Sequence, residues 1–271
     1  MIYREYRPKP PLAPWIASLW FVRTPYPDAV RQRVLPTGQA EIVLNLAADE
    51  CIGCAEDVPD WREPPALLVG ARTAFGVIDA RDLREMMGVS FAPGGLSMFL
   101  GEAANRLTAE LDLETLWGSA VHRLRERLCE TRDIQAKFAV LENFLTARVL
   151  SRPLHPSVRY ALYRIATGRN SPTVEELARS AGLSSRRFSD LFSEAVGLNP
   201  KAYLRIRRFR RALVRLHAGS DPCWAQMALD LGYCDQAHFN RDFREFSGIT
   251  PTEYYAAERP WAGHVTLSSA T

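Results

Sequence analysis

The chain has 271 residues, enough for two domains of ordinary size, and its 47% hydrophobic and 10% aromatic content fits packed globular structure and excludes a disordered chain. Its net charge of +3 is unevenly held: residues 151–260 carry 17 Lys and Arg against 11 Asp and Glu, and the remainder 17 against 20. No apolar run nears the ~18 residues that cross a bilayer, and five Cys at irregular spacing argue against a disulfide framework and for a reducing cytoplasm, with no membrane partner.

The first apolar stretch, "PLAPWIASLWFV", is broken by proline, ends in Arg23 and lacks a small-residue cleavage site, so it does not read as a signal peptide. Residues 1–96 read as β-rich. "EIVLNLA" (41–47) mixes alternation with branched residues, "ALLVGA" and "MMGVSFA" are short apolar runs, and "LPTGQ" (35–39) and "APGG" (92–95) supply turns. Several short strands so punctuated predict a small antiparallel barrel or sandwich. A pocket there would be apolar, with Trp15, Trp20, Phe21 or Trp61 as lining; the plainer reading makes these core aromatics. The pair Cys51 and Cys54 has the spacing of half a zinc site or a redox pair. No second such pair or paired His lies nearby, which favours a chance loop pair. His occurs only at 122, 155, 217, 238 and 264, none of them in the barrel, so neither a metal nor another cofactor is expected there.

Residues 97–150 change period. "SMFLGEAANRL", "LETLWGSAVHRLRERLCE" and "IQAKFAVLENFLTARVL" carry apolar residues at three-and-four spacing, which predicts two or three amphipathic helices. Leu113, Leu116, Trp117, Val121, Leu124 and Leu128 make one stripe. The helices at 113–128 and 134–150 are the expected dimer surface, with packing inside the monomer as the alternative. A linker with Pro153 and Pro156 follows.

Residues 156–258 read as all-helical, with seven helices at about 156–167, 173–181, 185–195, 200–216, 222–231, 236–246 and 251–258. Thr173 with Glu176 makes a capping box, Ser184 and Asp235 cap two helices, and Asn199, Asp221 and Thr250 each precede a Pro at a first helical position. One plan occurs twice. Ala178 and Gly182 correspond to Ala228 and Gly232 at an offset of 50, and Phe188, Phe192, Gly197 and Pro200 to Phe239, Phe243, Gly248 and Pro251 at 51. Each unit is a short helix, a tight glycine turn and a second helix anchored by a Phe pair, a helix-turn-helix. Such a unit offers its second helix to the DNA major groove. With the Phe residues inward, Arg186, Ser189, Asp190 and Ser193 point out of the first such helix. Ala237, Asn240, Arg241 and Arg244 point out of the second, flanked by Gln236 and His238. Arg suits guanine, Asn and Gln suit adenine, and Asp190 can only accept, as from cytosine.

Between the units, "PKAYLRIRRFRRALVRL" (200–216) predicts a helix of roughly 25 Å, long enough to set two reading helices in successive major grooves ~34 Å apart. Its Arg205, Arg207, Arg208, Arg210, Arg211 and Arg215 are candidates for phosphate contact or for pairing with carboxylates. The tail from Trp261 carries no charge and is expected to fray.

The stretch from "VEELARSAGLSS" to "ALDLGYCDQAHFNRDFREFSGITPTEY" resembles the AraC/XylS family of bacterial transcriptional regulators over about 100 residues. The resemblance implies sequence-specific binding of double-stranded DNA by the two units and no enzymatic activity. By it the base-reading positions fall on Arg186, Ser189, Asp190, Gln236, Ala237, Asn240 and Arg241; Ser184, Arg205, Arg208, Arg211 and Arg244 are the expected phosphate contacts. Asp190 departs from the basic residue often found there. The resemblance also implies an α+β chain: residues 1–150 as a sensing or dimerising part on a cupin-like barrel (β-rich 1–96, helical 97–150), and 156–258 as the DNA-binding domain. "VLPTGQAEIVLNL" and "GVSFAPGGLSMFLG" resemble one sensor subtype of that family. A small-molecule effector, a second copy of the chain and RNA polymerase are the further partners it implies. A cysteine-using alkyl-transfer repair protein and a barrel enzyme fused to a DNA-binding domain are the competing readings. The single cysteine pair and the missing His cluster count against them.

Overall fold

A computed structural model describes residues 1–24, 31–55, 58–107, 110–150, 153–168, 172–217, 222–257 and 263–267. The strands of the first half are β1 (Ile2–Tyr6), β2 (Ile16–Arg23), β3 (Arg31–Val34), β4 (Glu41–Asn45), β5 (Cys51–Ala55), β6 (Val58–Glu63), β7 (Ala66–Val69), β8 (Gly76–Asp79), β9 (Met86–Phe91) and β10 (Glu110–Asp112). Three helices follow, α1 (Leu113–Trp117), α2 (Ala120–Glu130) and α3 (Ile134–Thr146). The second half holds α4 (Pro156–Thr167), α5 (Val174–Ser180), α6 (Ser185–Val196), α7 (Pro200–His217), α8 (Trp224–Asp230), α9 (Gln236–Ser247), α10 (Pro251–Ala256) and a closing strand β11 (His264–Thr266).

The strands form two antiparallel sheets, ordered β1-β2-β9-β4-β7-β10 and β11-β3-β8-β5-β6. They do not close on each other, which corrects the expected cupin-like barrel to a layered arrangement. The alternation of β2, β4 and β9 explains it. Leu19, Phe21, Ile42, Leu44, Met87 and Val89 point to one face and join Val121, Leu124, Leu128, Phe138, Leu141 and Leu145 of α2 and α3 in a single core. Trp20, Val22, Val43 and Met86 point to the other face, where they meet Ile78 of the second sheet with Ala80 and Leu83. A sheet apolar on both faces must be covered on both. Gly88 lets the sheet close over its own tryptophan, because a side chain there would run into the Trp20 indole and the Ile42 carbonyl.

Three further expectations change. "SMFLGEAANRL" is not an amphipathic helix but two 3-10 turns, Gly95–Met98 and Ala104–Arg106, with Gly101 between them, and β10 interrupts the helical stretch beyond. The apolar stripes of α2 and α3 are spent inside the monomer, with Leu128 and Leu145 fully buried, so they do not form the exposed dimer surface foreseen for them. The tail does not fray throughout: β11 pairs with β3, Val265 lies opposite Arg33, and Val265 is buried.

Among the described residues seven helices stand in the second half, and their starts follow local chemistry. Thr173 with Glu176 and Thr250 with Glu253 form capping boxes, Asn199 Oδ1 accepts from the Ala202 amide at 2.8 Å, and Asp235 accepts from the His238 amide at 2.6 Å. Asp221 lies outside the described residues; α8 begins at Trp224 with Cys223 before it. In both units the turn glycine, Gly182 or Gly232, is left-handed at φ +66° or +81°, and the next amide reaches back to Ala178 or Ala228 at 3.0 Å.

Candidate nucleic-acid interface

Helices α6 and α9 are the second helices of the two units, and each is anchored by its aromatic face. Phe188 and Phe192 are fully buried in a core with Ala178, Val158 and Tyr203. Phe239, Phe243 and Phe246 are buried against Phe209 of α7 and Tyr254. What remains outward follows by rotation. On α9, Gln236, Ala237, Arg241 and Arg244 are exposed and Asn240 is half-buried; on α6, Arg186, Arg187, Asp190 and Glu194 are exposed and Ser189 is half-buried. The structure thus leaves every base-reading position of the sequence analysis at least partly open. The Arg186, Arg187 and Arg241 side chains make no ion pair or hydrogen bond to a described residue.

The two faces differ in charge. On α6 two Arg stand beside Asp190 and Glu194, so cation and anion offset each other. On α9 the one exposed acid, Glu245, is engaged by Arg205, and Arg241 and Arg244 face outward, Arg244 within the field of Glu253 on α10. Ser184 spends its hydroxyl on the Arg187 amide at 3.3 Å, as an N-cap.

The linker helix α7 is less available than its composition suggests. Arg205 forks onto Asp242 at 2.7 Å and onto Glu245 at 2.5 Å, and these hydrogen bonds, that of Glu245 foremost, hold its guanidinium well above the ordinary value. Arg208 lies 4.9 Å over the Tyr233 ring and donates to the Gly232 carbonyl at 3.1 Å. Arg211 donates to the Gly168 carbonyl at 3.4 Å, Arg215 pairs with Asp230 at 2.7 Å, and Arg210 donates to Gln39 at 3.4 Å. Arg205 and Arg208, foreseen as phosphate ligands, here fasten α7 to the second unit. Asp242 is the residue that sequence reasoning missed. It is 4% exposed, accepts from Nε and Nη2 of Arg205, and has Arg208 at 4.0 Å and His238 at 3.8 Å. Two acids at i,i+3 on α9 and two Arg at i,i+3 on α7 suit this pairing, but the spacing does not single them out among the six Arg of α7.

The units dock differently on the first half. The second shares a core with the sheets, since Leu35 and Val265 belong to the cluster of Ile206, Phe209 and Phe243, and Phe75 packs against it. The first keeps a core of its own, and α6 lies against the 3-10 turns Gly95–Met98 and Ala104–Arg106.

Cys51 and Cys54 both lie buried on β5. Burial, helped by Asp82, pushes the Cys51 thiol up to about 12, and burial pushes Cys54 up to about 11, so neither is a thiolate near neutral pH. Among the described residues no group of three His, Cys, Asp or Glu could hold a metal ion, and no helix is long and apolar enough to cross a membrane. Phe21 is core, Trp61 is exposed with its indole N–H on Glu63, and none of Trp15, Trp20, Phe21 and Trp61 lines the cavity described below.

Comparison with known proteins finds two family matches. Residues 177–257 match the family described as a helix-turn-helix domain, and residues 4–111 match a domain of unknown function, DUF6597. An HTH-type transcriptional regulator of Haemophilus influenzae is 26% identical over 119 residues, 44% of this chain and 40% of that protein. The HTH-type transcriptional regulator AlkR of Acinetobacter baylyi is 33% identical over 106 residues, 39% of this chain and 34% of that one. The chain therefore spans well under half the length of these curated relatives. Among solved structures, ToxT of Vibrio cholerae aligns over 88% of this chain and 97% of its own, at 9% identity and a TM-score of 0.47.

Proposed function

Starting from a chain that carries an AraC/XylS-type helix-turn-helix domain at its C-terminal end and a DUF6597 domain at its N-terminal end, we propose that it is a sequence-specific transcriptional regulator of double-stranded DNA. In this reading α9 and α6 enter successive major grooves from the two sides of α7, and 1–150 modulates their presentation by taking a small ligand. The observation that carries it is the outer face of α9, where Gln236, Asn240 and Arg241, which has no ion pair among the described residues, stand together on a helix fixed from behind by three buried Phe. Gln236, Asn240 and Arg241 would read base edges, with Ala237 giving apolar contact. On α6, Arg186, Ser189 and Asp190 would read a second element, more weakly because the acid repels phosphate. Arg244 is the most open phosphate contact, followed by Arg211 and the N-terminal turn of α6 at Ser184. AraC-type regulators are a non-enzymatic family, and Cys51 and Cys54, the pair that suggested the alkyl-transfer reading, are both buried. A homodimer would need a surface other than the stripes of α2 and α3.

Selection of the full-length protein on random duplexes at fixed moderate salt tests this. Two short enriched elements about one helical turn apart are expected. Arg241→Ala should cost about 1–3 kcal/mol and relax one element while leaving the other intact. Binding without enrichment that merely collapses as salt rises would overturn the reading in favour of charge attraction alone.

A further inference from the structure

The faces of β2, β9 and β4 that look toward the second sheet form rows. Val22, Met86 and Asn45 stand in register, then Trp20, Gly88 and Val43, then Ser18, Ser90 and Glu41. The first two rows meet a largely apolar filling. The third is wholly polar, at the end of the sheet nearest α7. It borders a cavity of about 600 Å³ whose other wall includes Arg210 of α7 and Gln39. The size is that of a small-molecule site.

Its polar groups are incompletely matched. Ser90 donates to Glu41 at 3.1 Å and Arg210 donates to Gln39 at 3.4 Å. Glu41 and Arg210 each lie within the other's field and form no direct ion pair, and Arg72, itself paired with Glu110, is the stronger positive charge on Glu41. Both have lost water: burial raises the Glu41 carboxyl and lowers the Arg210 guanidinium. Half-buried opposite charges that face one cavity without pairing are best met by something carrying both complementary charges between them. The rim repeats the arrangement with exposed Glu5 and Arg7. Lipid-like and purely anionic ligands do not suit a wall that presents an acid beside a base.

We propose that this cavity binds a small zwitterion of the free α-amino-acid class, its ammonium group on Glu41 and its carboxylate on Arg210. The inference rests on the reading of 1–150 as the ligand-sensing part. Arg210 sits on the helix that joins the two reading units, so occupancy of the cavity bears directly on α7.

The test uses full-length protein without DNA: calorimetric titration with a panel of the common free α-amino acids, each beside its N-acetyl and its amide derivative. At least one free amino acid is expected to bind, and removal of either charge should weaken binding about tenfold or more. Glu41→Gln and Arg210→Gln should each weaken it by a similar factor. No binding across the panel, derivatives that bind as well as the parent, or variants that fold and bind unchanged would each overturn the proposal. The derivative comparison needs no substitution and stands even if a variant fails to fold. Because DNA selection is measured separately, a protein that selects DNA but binds no amino acid sinks only the cavity assignment. One that binds an amino acid but selects no DNA sinks only the regulator reading.

Discussion

Asp242→Ala should destabilise the second helix-turn-helix unit by about 3 kcal/mol, the lower end of the range for removing one partner of a buried ion pair. The lower end applies because Arg205 keeps a quarter of its side-chain surface in water and retains Glu245. Asp242 faces Arg205, Arg208 and His238 together, so its loss leaves half-buried guanidinium groups without their common anion. Against a total stability of about 5–15 kcal/mol this is a large fraction. Denaturant unfolding should show a lower midpoint, and site selection should lose the element read by α9 while keeping that read by α6. Asp242→Asn, which keeps shape and can still accept hydrogen bonds, should cost less. A midpoint unchanged by Asp242→Ala would mean that the aromatic packing of Phe209 on Phe243 and Phe246 alone holds α9 in place.

Leu124→Asp should cost still more, about 4 kcal/mol or above, because it places a carboxylate where no described partner can meet it. Leu124 is 4% exposed and lies in the core that α2 and α3 share with the first sheet. The expected outcome is a largely unfolded or aggregating first half, seen in near-ultraviolet dichroism and sizing together. A folded monomer from a dimeric parent would instead place Leu124 at a subunit contact. Leu124→Ala, which leaves a cavity and no charge, should fall within about 2–5 kcal/mol and retain the fold.

The second half was largely legible in the sequence because its signals are local. Caps, turn glycines and Phe pairs four apart act within one or two turns of chain, and Ala178–Gly182 and Ala228–Gly232 repeat them. The clamp on α7 was not legible, because Arg205 and Asp242 are 37 residues apart and nothing local says which of several Arg will turn inward. In the first half the alternation of β4 was readable. Closure was not, since it depends on whether the outer face of the sheet is wet or covered by α2 and α3. "SMFLGEAANRL" misled by composition: its apolar spacing suits a helix, but Gly101 and the demand for Leu96, Phe99 and Leu100 in the core favour two tight turns. The polar row Ser18, Ser90 and Glu41 is a matter of cross-strand register, which only the pairing reveals.

The pairing of β11 with β3 gives the two reading helices unequal fates under stress. The core behind α9 includes Leu35 and Val265, so that helix belongs to one cooperative block with the second sheet, α7, α10 and β11. The core behind α6 is complete within its own half. Chain order and folding units therefore do not coincide: a cut near residue 151 would sever β11 from β3, its strand partner among the described residues, and open the core behind α9, and it would take from α6 the 3-10 turns it lies against while leaving the core behind that helix closed. Partial unfolding of the second sheet would likewise release α9 first, and hydrogen exchange of the Phe239–Phe243 turn should track that of β3 and β8 more closely than that of α6.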